Sequence, residues 1–122
     1  MADNVKESLE ELKSIEGFIA AAIAHGESGM AMGSVGGGEA FNIDVAVAAN
    51  SEVVRAKHKA MKALKIGGKI EDILITLDSQ YHLIRPFASN PIVFIYLAVD
   101  REKANLGMAR FKLSTIESKL QL

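Results

Sequence analysis

Residues 43–66 read IDVAVAANSEVVRAKHKAMKALKI, and the interpretation of this stretch decides the fold. Ala46, Ala49, Val53, Ala56, Ala60 and Ala63 recur at three- and four-residue intervals, the spacing that keeps side chains on one face of an α-helix. A bulkier series, Val47, Val54, Met61 and Leu64, lies about 100° round the same helix. The combined apolar arc is wider than the ~100° that a helix needs to lie on its own core. At ~1.5 Å per residue the helix would be roughly 36 Å long. A helix of that length with two apolar faces needs two surfaces to lie against. The expectation is its own sheet on one side and a second copy of the chain on the other.

The flanks support the helix. Asn42 is a suitable N-cap, and Asp44 sits favourably in the positive first turn. Lys62 and Lys65 complement the other end, and Gly67-Gly68 is expected to stop it. Upstream, Asn4 and Glu7 resemble a capping box opening a short helix along Val5, Leu9 and Leu12, which Gly17 closes. Residues 18–25 and 29–35 are read as strands joined by a tight turn at Gly26-Glu27-Ser28, their alanines letting a covering helix approach closely. Gly36-Gly37-Gly38 then separates them from the long helix.

Downstream the pattern is β. Strands are expected at 71–78, with Ile73, Ile75 and Leu77 alternating with Leu74 and Thr76, and at 81–87 and 92–99. Pro86 must occupy an unpaired position, and the doubly apolar run Ile92–Val99 suits a central strand. Asp100 is expected to cap a last helix whose buried stripe is Leu106, Ala109, Leu113, Ile116 and Leu120, widened by Phe111. The order helix, two strands, helix, three strands, helix defines an α+β domain with a single five-stranded antiparallel sheet.

Composition narrows function. Fourteen Lys and Arg against fifteen Asp and Glu give a net charge of −1 with no basic tail, which argues against nucleic acid. The chain has no cysteine, so thiol chemistry and thiolate metal sites are excluded. No apolar run reaches the ~20 residues of a membrane span, and the charged start is unlike a signal peptide. A cytoplasmic protein is expected.

Candidate chemistry is sparse. The glycine triplet before a helix lacks a P-loop lysine and is followed by Glu39, so a flexible connector is expected rather than a phosphate nest. His25, His58 and His82 lack metal-ligand spacing; His58 is expected at an interface or in solvent and His82 in a packed or surface role. Asp78, Ser79 and His82 cannot form a hydrolytic relay as neighbours in one turn. Arg85 is expected to be a cross-strand partner of a carboxylate rather than an arginine finger. Glu52, Arg55, Lys57, Lys59 and Lys62 make a mixed, moderately basic helix side. A solvated face is the first reading, a docking surface for an acidic partner the second. No catalytic residue, cofactor or metal is nominated.

The runs ILITLDSQYHLIRP (73–86) and FIYLAVDREKANLGMAR (94–110) resemble the roadblock / dynein light-chain family. Ile84-Arg85-Pro86 at a strand end and Ala104 to Arg110 opening the last helix are the most characteristic pieces. The resemblance implies a single roadblock-like domain over 1–122, its first and last helices on one face of the sheet and its long helix on the other. It also implies dimers made by pairing edge strands, with middle helices side by side. On this chain that designates Ala46, Ala49, Val53, Ala56, Ala60 and Ala63, with Ile73, Ile75 and Leu77, as the dimer interface. The family's members are dimeric platforms, among them bacterial regulators of small Ras-like GTPases. The function expected is therefore a non-enzymatic homodimeric adaptor binding such a GTPase. The alternative is a small-molecule sensor of profilin-like or PAS-like architecture, disfavoured by the lack of an evident buried polar constellation to orient a ligand. The alanine-rich first hairpin departs from the family's larger aliphatics.

Overall fold

The computed structural model describes residues 4–122. Its elements run α1 (Val5–Lys13), β1 (Phe18–His25), β2 (Met30–Gly36), α2 (Ile43–Ala63), β3 (Ile73–Thr76), β4 (Gln80–Phe87), β5 (Asn90–Asp100) and α3 (Leu106–Lys119). The strands form one antiparallel sheet in the order β2-β1-β5-β4-β3. The apolar run of the last strand is central, as its two-sided hydrophobicity requires. Tight hairpins make β3-β4-β5 a meander, β1 pairs with β5, and α2 connects β2 at one edge to β3 at the other.

Each face of the sheet has its own core. On one face, Leu9, Leu12 and Ile15 of the α1 region and Ala109, Leu113, Ile116 and Leu120 of α3 pack on Ile23, Leu83, Ile95 and Leu97. On the other, Val47 and Val54 of α2 pack on Ala22, Ala24, Ile84, Phe94 and Tyr96. The small residues of β1 admit α2, as expected. At Gly33 an added Cβ would stand 2.8 Å from a Leu9 methyl, so glycine there lets α1 close on β2.

Several local expectations are corrected. Asn4 makes no side-chain cap on α1; it clasps the other terminus, donating to the Lys119 carbonyl at 2.8 Å and accepting from the Gln121 amide at 2.6 Å. Helix α1 ends at Lys13, and Gly17 belongs to the turn into β1. The glycine triplet ends β2 and turns the chain toward α2. Gly36 and Gly37 have φ of 76° and 79°, and a Cβ on Gly37 would lie 2.7 Å from the Phe41 carbonyl oxygen. Helix α2 ends at Ala63, before the glycine pair. Lys65 takes the left-handed position (φ 57°), and the Ile66 and Lys65 amides return to the Met61 and Lys62 carbonyls as a Schellman motif. At ~1.5 Å per residue the 21 residues span about 32 Å.

Strand β3 is shorter than 71–78, because the chain on either side turns off the ladder, and Leu77 lies in the hairpin turn with its amide on the Gln80 carbonyl. Pro86 is in register with Phe94 but extends past the end of β3, so its missing N–H breaks no bond there. The α3 cap is Asn105, accepting from the Met108 amide at 3.0 Å, while Asp100 accepts from Glu102 in the preceding turn. Phe111 does not widen the buried stripe: two residues short of Leu113, it lies on the outer side of α3 and is 68% exposed. The Asn42 cap on α2 is present at 3.1 Å.

Candidate functional site

The two stripes of α2 separate in space. Val47, Asn50, Ser51 and Val54 are buried, and Ser51 returns its hydroxyl to the Val47 carbonyl at 2.8 Å, which satisfies it within the helix. Of the alanine series, Ala49, Val53, Ala56 and Ala63 are exposed, and Ala46 and Ala60 half-buried. Apart from Ala46, which packs on the core beneath α2, most of the small-residue face thus points away from the sheet.

Its surroundings are equally unfinished. Helix α2 lies mainly against β1 and β2. The rest of that sheet face, over β4 and the edge strand β3, carries Ile73 and Ile75 half-buried, with no helix among the described residues laid along them. The alanine series, Ile73 and Ile75 thereby border one open shoulder; Leu77, in its turn, stands 41% exposed at the margin. The intervals of three, four, three, four and three residues also read the same in both directions. Reversed about the Val54–Arg55 bond, Ala46 exchanges with Ala63, Ala49 with Ala60 and Val53 with Ala56.

Two polar clusters were not foreseen. Beside the shoulder, the Tyr96 hydroxyl lies 3.1 Å from His82 Nδ1, and His82 Nε2 lies 2.7 Å from Gln80 Oε1. The imidazole is edge-on to both Phe41 and Tyr96. Burial lowers the His82 pKa and pushes Tyr96 up to about 12. A neutral imidazole completes the chain: Tyr96 donates to Nδ1, and Nε2–H donates to Gln80. This is the kind of buried polar group that the sequence did not reveal. Its members satisfy one another.

On the opposite face, Arg85 Nε donates to Glu117 at 3.0 Å and its guanidinium stands 3.9 Å from Asp72, which also receives Arg110 through three contacts of 2.9 to 3.1 Å. The carboxylate partner expected for Arg85 is real, although it comes from α3 and the approach to β3 rather than from a neighbouring strand. Arg85, Asp72 and Glu117 side chains are only 15, 12 and 10% exposed, so the arginine is fully engaged in structure. Glu117 was legible in one respect: it follows Ile116 inside an apolar stripe, where a carboxylate needs a cation.

The other candidates stay dispersed. His25 binds its own turn through Ser28, and His58 is half-buried on α2. Among the described residues no three His, Asp or Glu side chains gather as a metal site, and no helix is long and apolar enough to cross a membrane.

The architecture is an α+β sandwich with two helices on one face of a five-stranded antiparallel sheet and one on the other. It is the roadblock fold. A roadblock/LC7 domain from Streptomyces avermitilis superposes with a TM-score of 0.76 at 14% identity, over 89% of this chain and 87% of that one. MglB from Myxococcus xanthus matches with a TM-score of 0.82 at 11% identity, over 94% and 83%. MglC from the same organism matches at 0.61 and 18% identity, over 95% of both chains. No family profile and no curated protein matches the sequence.

Proposed function

We propose that this protein is a non-enzymatic, cytoplasmic homodimeric adaptor that binds and regulates a small Ras-like GTPase. The observation that carries the dimer is the near-palindromic small-residue face of α2, exposed beside an uncovered half-sheet and the edge strand β3. A two-fold interface brings one surface against itself. An antiparallel second α2 centred at Val54–Arg55 sets Ala46, Ala49 and Val53 against the partner's Ala63, Ala60 and Ala56. Small residues allow close approach of the two helices, and pairing of β3 edges removes an exposed strand edge. Exposed Glu52 and Lys59 lie on the same outer flank of α2, so the same arrangement brings each Glu52 near the other copy's Lys59.

The partner class rests on the resemblance of residues 71–113 to the roadblock family and on the fold shared with MglB. Any effect on GTP turnover would come from repositioning the GTPase's own groups, since Arg85, the one candidate finger, is engaged by Glu117 and Asp72. The test is capture with the full chain from native cytoplasm, followed by binding to the recovered GTPase in its GDP and GTP-analogue states. Preference for one nucleotide state supports the adaptor. Recovery of metabolites alone would favour the sensor, for which the His82–Tyr96 cluster offers the natural site.

A further inference from the structure

We propose that the C-terminal half of α2, with the β1–β2 turn and the start of β5, is a docking groove for an acidic, apolar-anchored segment of a partner protein. From Val53 to Ile70 the chain carries six cations, Arg55, Lys57, Lys59, Lys62, Lys65 and Lys69, and no carboxylate. The first 52 residues hold nine of the fifteen carboxylates and only two of the fourteen cations. A net charge of −1 therefore hides a strong separation of sign. Among the described residues, Lys59, Lys62 and Lys65 have no ion-pair partner. Lys65 even holds its cation at a left-handed position that glycine fills with less strain.

One of these cations, Arg55, lines a cleft, and two lysines, Lys59 and Lys62, follow it along the helix. At 100° per residue, Arg55, Lys59 and Lys62 share one flank of α2. That flank faces the β1–β2 turn, because the Arg55 guanidinium donates to the Gly26 carbonyl. Between them lies an open cleft of about 480 Å³ with Val54, Pro91 and Ile92 as its apolar lining, His58 on the helix side and Glu27 on the far rim. Ile92 is 45% exposed although it opens the central strand. An extended segment could seat apolar side chains on Val54 and Ile92 while its carboxylates meet the cations, an arrangement in which charge steers encounter and the apolar contact holds. A bilayer would instead engage Leu64 and Ile66 at the helix end and leave the cleft unfilled. The concave apolar floor favours the peptide. The cleft is on the other side of α2 from the open half-sheet and none of its lining residues belongs to the alanine face; Lys59 alone is shared with the proposed dimer contact, and the variants below leave it in place.

The test uses the full chain and three fluorescein-labelled dodecapeptides: Asp and Glu flanking Leu and Phe, the same with Ser for Leu and Phe, and the same with Lys for the acids. The acidic apolar peptide should bind, weakening as salt rises. The Ser version should bind about tenfold more weakly, from lost apolar burial, and the Lys version should not bind. Lys62→Glu and Ile92→Ser should each weaken binding about fivefold, with circular dichroism and sedimentation unchanged. Equal binding of the Ser peptide, or indifference to Ile92→Ser, would reduce the effect to diffuse charge attraction and overturn the groove. So would failure to bind any peptide, whether or not the protein co-sediments with phosphatidylserine vesicles.

Discussion

The two faces of the sheet differ in how far one chain completes them. Under α1 and α3 the core is made of large aliphatics, Asn4 clasps the C-terminal segment, and the Arg110–Asp72–Arg85–Glu117 chain ties α3 to β4 and the approach to β3. Under α2 the sheet offers Ala22, Ala24 and Ala98 together with Ile84, Phe94 and Tyr96, one helix covers β1 and β2, and the shoulder over β3 and β4 stays open among the described residues. Two helices close one face, whereas a single helix leaves part of the other bare. The same sheet thus has one face closed within the chain and one left partly open.

The contrast can be broken by substitution. Ala56→Glu with Ala60→Glu should convert dimer to monomer on sedimentation, weakening association by on the order of 4 kcal/mol through buried like charges, while leaving the thermal unfolding of the subunit nearly unchanged. A dimer that persists would remove the role given to the alanine face. Leu97→Ala, beneath α1 and α3, should instead cost about 3 kcal/mol of fold stability in urea titration, since a fully buried leucine leaves a cavity. Glu117→Ala should cost about 2 kcal/mol, because Arg85 keeps only its longer contact to Asp72. Adding Arg85→Ala should then cost less than its effect alone, as a double-mutant cycle would show.

Smaller effects sharpen the comparison. Glu52→Lys should weaken the dimer by about 0.5 kcal/mol per exposed pair, and adding Lys59→Glu should restore it; no rescue would argue against the antiparallel register. Last is pH. With burial lowering the His82 pKa from 6.5, folded and unfolded chains both carry it neutral above that value, and it adds no slope. Below pH 6.5 the unfolded chain takes up the proton first, so stability should fall until the folded site protonates as well. His82→Gln should flatten that acid limb, and an unaltered limb would show that other groups cause it.

Element order, the extent of β1 and β4 within a residue, the Asn42 cap and the buried Val47 and Val54 of α2 were legible, because periodicity and capping are local; Leu64, expected in the same stripe, lies past the helix end and is 66% exposed. Errors arose where a residue's best partner is distant. Asn4 next to Glu7 looks like a capping box, yet its amide serves the chain terminus; Asp100 and Asn105 compete for one cap, and the turn after β5 assigns it. Lys65 is a poor left-handed residue on paper, yet it takes that conformation two residues before the glycines, and the Lys65 and Ile66 amides close the helix end. The His82–Tyr96–Gln80 chain needs the register that sets β4 beside β5, and Arg85 with Glu117 needs α3 laid across β4.

By itself the sequence determined an α+β chain with a long, two-striped middle helix, since hydrophobic spacing acts through contacts within a few residues. Tertiary structure alone decided which stripe of α2 met the sheet, which half of the sheet stayed bare, and which charges found partners. Those outcomes depend on contacts between residues tens of positions apart, where only the arrangement of the elements determines what can touch.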